Sequence, residues 1–232
     1  MKEWYYDEFM QVGIDFACEE EVHAYDEKYK SIRNFDDEAG FIAQSVKIHA
    51  ESVVLELGTG TGELAIRLAK KCAKVVACDV SKPMLKYAAI KAHNLNIGNI
   101  EFINAGFINN SFQPETFDAV ISQLALHHLP DFWKSVAIFN ISKWLKKDGI
   151  FFLLDSMFSF NPESFDNSIT GVIEFARSKM GNKIADEIII NIRDEYPTYD
   201  WIIENHLINN GLRIVSKIKY TDIMSLFISE KV

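Results

Sequence analysis

Residues able to do chemistry concentrate at the ends of apolar runs in this chain. Residues 53–63 read VVLELGTGTGE, so Glu56 is followed by glycine at alternate positions, Gly58, Gly60 and Gly62. The run KVVACD ends in Asp79, FDAVISQLALHH ends in His127 and His128, and IFFLLD ends in Asp155. Glycines after a buried strand take positive φ and let a ligand approach the backbone closely. A carboxylate at the end of the next strand can accept both hydroxyls of a ribose in charge-assisted hydrogen bonds, and would repel a 2′-phosphate there. A histidine near a bound acceptor can take its proton at neutral pH. The pattern therefore predicts a nucleotide-like ligand at the carboxyl edge of a sheet.

Holding such groups together requires alternating strands and helices. Strands are expected at about 52–57, 74–79, 100–104, 117–122 and 149–155, with helices at about 62–72, 82–94 and 131–146 between them. Ser81 and Pro83 mark the second helix start, and Asp148-Gly149 is expected to end the third. An earlier helix, capped by Asp36 or Asp37, should run to about Ala50. Strands alternating with helices imply right-handed crossovers and a parallel sheet covered on both faces, an α/β three-layer αβα sandwich. Residues 1–35, rich in aromatics and acids, read as a helical N-terminal cap, and 156–198 as a helical insertion after the fifth strand that serves as a substrate lid. A helix at about 199–210 precedes the runs RIVSKIKY (213–220) and DIMSLFIS (222–229), which should pair as a hairpin and leave the last strand antiparallel.

Composition narrows the function classes. The 232 residues suit one domain spanning 1–232, and 48% hydrophobic residues suffice for an ordinary core. A net charge of −9 disfavours a nucleic-acid footprint. The N-terminus MKEWYYDEF is too charged for a signal peptide, and the run IFFLLDSMFSF is too short to span a bilayer. Cys18, Cys72 and Cys78 show no metal-ligand spacing, so no metal is expected, and reduced thiols in a cytoplasmic monomer or homodimer are the expectation.

Spacing separates two nucleotide-binding families. A dinucleotide fingerprint G-x-G-x-x-G starting at Gly58 would need glycine where Glu63 stands. The chain has E-x-G-x-G-x-G instead, which resembles the first motif of the Rossmann-like (class I) methyltransferases dependent on S-adenosylmethionine (SAM). The stretch from 53 to about 155, with its S-x-x-A-L-H-H segment, carries that resemblance; the wider chain, with WYYDEF and RDEYPTYDW, resembles a bacterial small-molecule methyltransferase group. The resemblance implies a seven-stranded, mostly parallel sheet with one reversed strand, SAM as cofactor and S-adenosylhomocysteine (SAH) as product. It implies that Glu56 holds the methionine end, with Gly58, Thr59, Gly60 and Gly62 in the turn and Asp79 and Val80 at the ribose. Gln123 and Leu124 would line the methionine moiety, while Met84 and Phe107 would cover the adenine. Many relatives carry an acid after the third strand, where this chain has Gly106, so backbone groups of 105–107 are expected to read the adenine edge.

Methyl transfer mainly needs alignment of acceptor, methyl and sulfur, with a base where the acceptor carries a proton. His127, His128 and Asp155 are the candidate catalytic residues. Adjacent residues on a helix do not share a face, so one histidine is expected to line the pocket, with His128 preferred. Tyr5 and Tyr6, together with Arg193, Asp194, Glu195, Tyr196, Tyr199 and Trp201 of the segment RDEYPTYDW, are candidate substrate contacts. The competing readings are a SAM-binding protein without catalysis and an NAD-dependent oxidoreductase. An RNA methyltransferase fits less well, because Ser122-Gln123-Leu124-Ala125 stands where an N-P-P-Y-type tetrapeptide would be.

Overall fold

The computed structural model describes every residue except 1, 2, 11, 15, 17 and 31. Its sheet is built from β1 (Val53–Leu57), β2 (Lys74–Asp79), β3 (Ile100–Asn104), β4 (Phe117–Gln123), β5 (Leu145–Phe158), β6 (Thr198–Tyr199), β7 (Leu212–Thr221) and β8 (Met224–Lys231). The order is β3-β2-β1-β4-β5-β8-β7, with the two-residue β6 paired to the far end of β5 as an eighth strand. β1 to β5 pair in parallel, and β8 runs antiparallel to both β5 and β7. The expected reversed strand is therefore present, and the extra strand is the short β6.

The helices are α1 (Glu19–Lys30), α2 (Phe35–Ser45), α3 (Glu63–Ala69), α4 (Lys82–Asn94), α5 (Asp131–Trp144), α6 (Phe165–Lys179), α7 (Asn182–Asp194) and α8 (Asp200–Asn209). Period-two alternation sends neighbouring strand residues to opposite faces. Leu55, Leu57, Phe151 and Leu153 join one core with Ile138 and Ile141 of α5 and Leu207 of α8. Val54, Ile150 and Phe152 join the other, with Ile42 of α2 and Leu68 of α3. Burial on both faces explains why these strands read as continuous apolar runs.

Two expected boundaries move. The N-cap of α2 is Asn34, whose side chain accepts from the amides of Asp36 and Asp37, and the helix stops at Ser45. Asp148-Gly149 does not end α5, which stops at Trp144; both residues lie within β5, where the register shifts opposite Phe117 and Ala119. Asp148 has φ of 61°, and a Cβ on Gly149 would lie 2.8 Å from the Lys146 carbonyl oxygen, so glycine serves an irregular strand there.

The order of the strands positions the site. β1 leads through α3 to β2 on one side, while β4 lies on the other, so the chain switches direction between β1 and β4. Leu57 pairs with both Cys78 and Ser122, which sets the carboxyl ends of β2, β1 and β4 level around that crevice. Among the described residues no helix is long and apolar enough to cross a membrane.

Candidate active site

The turn after β1 is a backbone cradle closed by β2. The amides of Gly58 and Thr59 donate to the Cys78 carbonyl at 2.9 Å each. Asp79 accepts from the amide of Gly60 at 2.7 Å and from that of Ser81 at 2.8 Å. All three glycines have positive φ, but for different reasons. A Cβ on Gly58 would lie 2.3 Å from Ala125, and one on Gly62 would lie 2.9 Å from Ala88, so these two let elements pack. Among the described residues, a Cβ on Gly60 would meet nothing within 4 Å and would project into open space.

That space is a cavity of about 130 Å³. Of the residues expected to hold cofactor, Gly58, Gly60, Asp79, Val80, Met84, Gly106, Phe107, Gln123 and Leu124 line it. Glu56, Thr59 and Gly62 stand behind the turn instead. Glu56 is buried and accepts from the Thr59 hydroxyl at 2.8 Å. Burial, with Asp79 adding to it, pushes the Glu56 carboxyl up to about 8. A glycine turn with one open position and a carboxylate on the wall suits a ribose-bearing ligand.

The residue that sequence reasoning missed is Glu8. It arrives from the N-terminal strap and accepts from the amides of Phe107 (2.7 Å), Ile108 (2.9 Å) and Asn109 (2.6 Å). A Cβ on Gly106 would lie 2.2 Å from a Glu8 carboxylate oxygen. The missing acid after β3 is thus matched by one from a distant segment, which also lines the cavity. Burial raises the Glu8 carboxyl against the opposing pull of the three amides. Glu8→Ala leaves those amides without a partner, and a loss of about 1–3 kcal/mol of stability is expected in denaturant unfolding.

A second cavity, of about 550 Å³, lies between the sheet edge, α1, α2, α6 and α7. Both His127 and His128 line it, against the expectation that only one of the pair would. They lie in a 3-10 turn at 126–128 rather than on an α-helix, with ring centroids 4.4 Å apart. His127 is locked: Nδ1 lies 2.5 Å from Asp155 and Nε2 lies 3.2 Å from Glu195. Burial opposes its charge, but the two carboxylates outweigh burial and raise it to about 9. His128 Nδ1 is 3.9 Å from Glu195, too far for a hydrogen bond, and about a third of its side chain is exposed, 32%. Burial first, and then the charge on His127, lower it to about 4. His128 lines both cavities. Glu195 reaches the pair because Tyr196 donates its amide to the His127 carbonyl at 2.9 Å, while its own carbonyl accepts from Lys134.

These shifts carry a pH signature. His127 binds its proton in the folded protein up to about pH 9, against 6.5 ordinarily, so its contribution to stability is full below 6.5 and is lost as pH rises through 9. Glu56 acts in the same sense, because its folded pKa of about 8 exceeds the ordinary 4.5 and stability falls as pH rises through 8. The melting temperature is expected to fall between pH 6.5 and 9, and Glu56→Gln should flatten part of that slope. A level profile over this range would contradict both assignments.

Of the expected substrate contacts, Glu195 lines the larger cavity and the others line neither. Tyr5 donates to the Ile108 carbonyl at 3.1 Å and packs on Trp133 at 4.9 Å. Tyr6 donates to the His128 carbonyl at 3.2 Å and also packs on Trp133. Both fasten the strap to the core, an aromatic staple that sequence spacing does not distinguish from a lid. Arg193 pairs with its neighbour Asp194 on the surface, and Tyr199 stacks among Phe158, Phe160 and Trp201. Tyr196 bonds the His127 carbonyl through its backbone amide, and its side chain is hydrogen-bonded to Tyr6. Phe16, Tyr25 and Arg33, which the sequence did not single out as contacts, line a cavity beside Glu195.

His127, His128 and Glu195 also form a three-donor group whose ligand atoms lie within 4.8 Å of one another. His127 and Glu195 already satisfy each other, with Asp155 holding the other ring nitrogen, so an ion bound here would have to displace that contact. Prolonged EDTA treatment is therefore expected to leave the rate unchanged; a loss restored by a divalent cation would reverse that reading.

Comparison with known proteins agrees with this geometry. Residues 54–149 match the family model described as "Methyltransferase domain". An uncharacterized methyltransferase of Geobacillus sp. (strain WCH70) is 31% identical over 196 residues, covering 83% of this chain and 84% of the relative. The crystal structure of a SAM-dependent methyltransferase from Aquifex aeolicus has a TM-score of 0.65 at 15% identity and covers 93% of this chain and 99% of its own. That of geranyl diphosphate C-methyltransferase from Streptomyces coelicolor A3(2), in complex with Mg²⁺, geranyl diphosphate and SAH, has a TM-score of 0.67 at 10% identity, covering 92% and 83%. The glycine cradle, the strand order and these matches together place the chain in the class I family of SAM-dependent methyltransferases.

Proposed function

We propose that the acceptor is a small molecule held in the larger cavity, that SAM occupies the smaller one, and that His128 takes the acceptor's proton. The observation that carries this reading is the wall the two cavities share: Phe16, Tyr25, Gln123, Leu124 and His128 border both. A reaction between a cofactor and an acceptor belongs at such a junction.

When bound, SAM supplies a methyl group activated by its sulfonium charge. Asp79 would orient the ribose, since its carboxylate lines the cavity while the amides of Gly60 and Ser81 fix its two oxygens in place. Gly60 gives the cofactor room against the backbone, and Glu8 and Asp79 make the cavity acidic, which favours a cationic ligand. His128 is neutral at physiological pH and makes no ring hydrogen bond among the described residues, so its ring can receive a proton. Asp155 and Glu195 hold His127, and His127 in turn backs His128. α6 and α7 roof the cavity on one side. The net charge of −9 supports a small molecule over a nucleic acid.

Isothermal titration with SAH tests the cofactor, and turnover of methyl-labelled SAM against a metabolite extract tests the transfer. Absence of SAH binding at millimolar ligand would overturn the reading. Binding without any labelled product would favour a SAM-binding protein without catalysis.

A further inference from the structure

We infer that the acceptor is a large, mainly apolar molecule that presents its nucleophile at one end on an uncharged polar group, such as a phenolic hydroxyl, and that carboxylates and phosphates are refused. The inference rests on the methyl-transfer reading and names the substrate class of that site.

The roof carries the argument. α6 and α7 have one buried residue each, Ala176 and Ala185, so neither helix spends its apolar face on a core. That face lines the cavity instead, through Val172 and Phe175 of α6 and Ile184 and Ile188 of α7. Opposite them, Phe41 and Ile42 of α2 and Phe152 and Leu154 of β5 complete an apolar chamber. About 550 Å³ is a typical volume for a drug-sized ligand.

The end of the chamber at the two histidines carries a chain of polar groups. Ile184, Ile188 and Asn191 succeed one another along one face of α7 at helical spacing, and Glu195 follows just beyond its end. The face therefore changes from apolar to polar as it approaches the two histidines. Ser156 donates to Asn191 at 2.6 Å, Asn191 donates to Glu195 at 2.6 Å, and Glu195 holds His127. Ser156, Asn191, Glu195 and His127 satisfy one another, whereas the His128 ring makes no hydrogen bond among the described residues. One base meets one nucleophile, and the rest of the acceptor meets hydrocarbon.

Charge decides the head group. Glu38, Glu187 and Glu195 line the cavity, whereas Arg33 is the single arginine or lysine among its described lining residues. Arg33 is already engaged by Glu38 at 2.5 Å and by Gln123 at 3.1 Å. Glu187 is likewise paired with Lys28 and Glu195 with the protonated His127, so these charges all have partners and an anionic acceptor would find no free cation to compensate it.

The test uses matched probes on the full chain: 4-octylphenol, 4-octylbenzoate and phenol, titrated calorimetrically with and without SAH. Each buried methylene is worth roughly fourfold in affinity, so 4-octylphenol is expected to bind on the order of a hundredfold or more tighter than phenol. It should also bind at least about tenfold tighter than 4-octylbenzoate. Ile188→Asp should remove most of the 4-octylphenol affinity and leave the SAH titration unchanged. Phenol binding as tightly as 4-octylphenol, 4-octylbenzoate binding as tightly as or tighter than 4-octylphenol, or an indifferent Ile188→Asp variant would each overturn the inference. Failure of SAH to bind would instead sink the methyl-transfer reading, and the titrations without SAH would still decide the shape of the cavity.

Discussion

Gly60→Val is expected to abolish measurable SAH binding, a loss of at least about a hundredfold, while the protein stays folded. The backbone at Gly60 has φ of 53°, a left-handed conformation that a β-branched residue adopts only at a cost of about 1–2 kcal/mol. Among the described residues, no atom beyond the chain neighbours of Gly60 lies within 4 Å of the added Cβ, so the fold can tolerate the change. The new side chain projects instead into the cavity that Asp79 and Gly106 share. Gly58→Val provides the contrast, because there the Cβ meets Ala125 at 2.3 Å and the variant should lose stability as well. Calorimetric titration with SAH, paired with thermal melts of both variants, separates the two effects. An unimpaired SAH titration in Gly60→Val would show that the cofactor does not lie against this turn.

His128→Ala is expected to lower kcat by roughly 10²–10⁴-fold, the usual worth of a positioned base, with SAH affinity unchanged. Burial and the neighbouring His127 charge lower His128 to about 4, so it remains neutral across the physiological range. The rate should therefore show no acid limb near pH 6.5, and any decline due to this group should appear only as pH falls towards 4. Asp155→Ala should behave differently. It removes one of two carboxylates from a buried, protonated imidazole, and breaking a buried pair in this way costs about 3–5 kcal/mol. A variant that loses rate without stability and another that loses both would assign the proton to His128 and the support to Asp155 and His127. Equal rates for His128→Ala and the parent would reject the base.

Much of the fold was legible because its signals are local. The apolar runs of β1, β2 and β4, the glycine turn, Ser81 as a cap and the terminal hairpin all declare themselves within a dozen residues. Asp79 was legible for the same reason, standing at a strand end beside its turn. What stayed hidden is non-local. Glu8 meets the amides of 107–109 across about a hundred residues, and no spacing rule links them. Glu195 was visible only as one acid in a dense polar segment; the hydrogen bond from Tyr196 to the His127 carbonyl is what brings it to the histidines. Tyr5 and Tyr6 misled because an aromatic staple and an aromatic lid have the same composition, and only the position of Trp133 tells them apart. Gly149 misled because one residue type serves both a helix end and an irregular strand.

The Glu8 clasp ties two distant positions into one evolutionary unit. Its carboxylate occupies the space that any side chain at position 106 would need. A substitution at 106 evicts the clasp, and shortening residue 8 strands three amides, so neither site is free to drift alone. Lineages of this fold that carry a bulky residue after β3 must fasten their leading segment by other means, and aligned relatives should show residues 8 and 106 changing in concert.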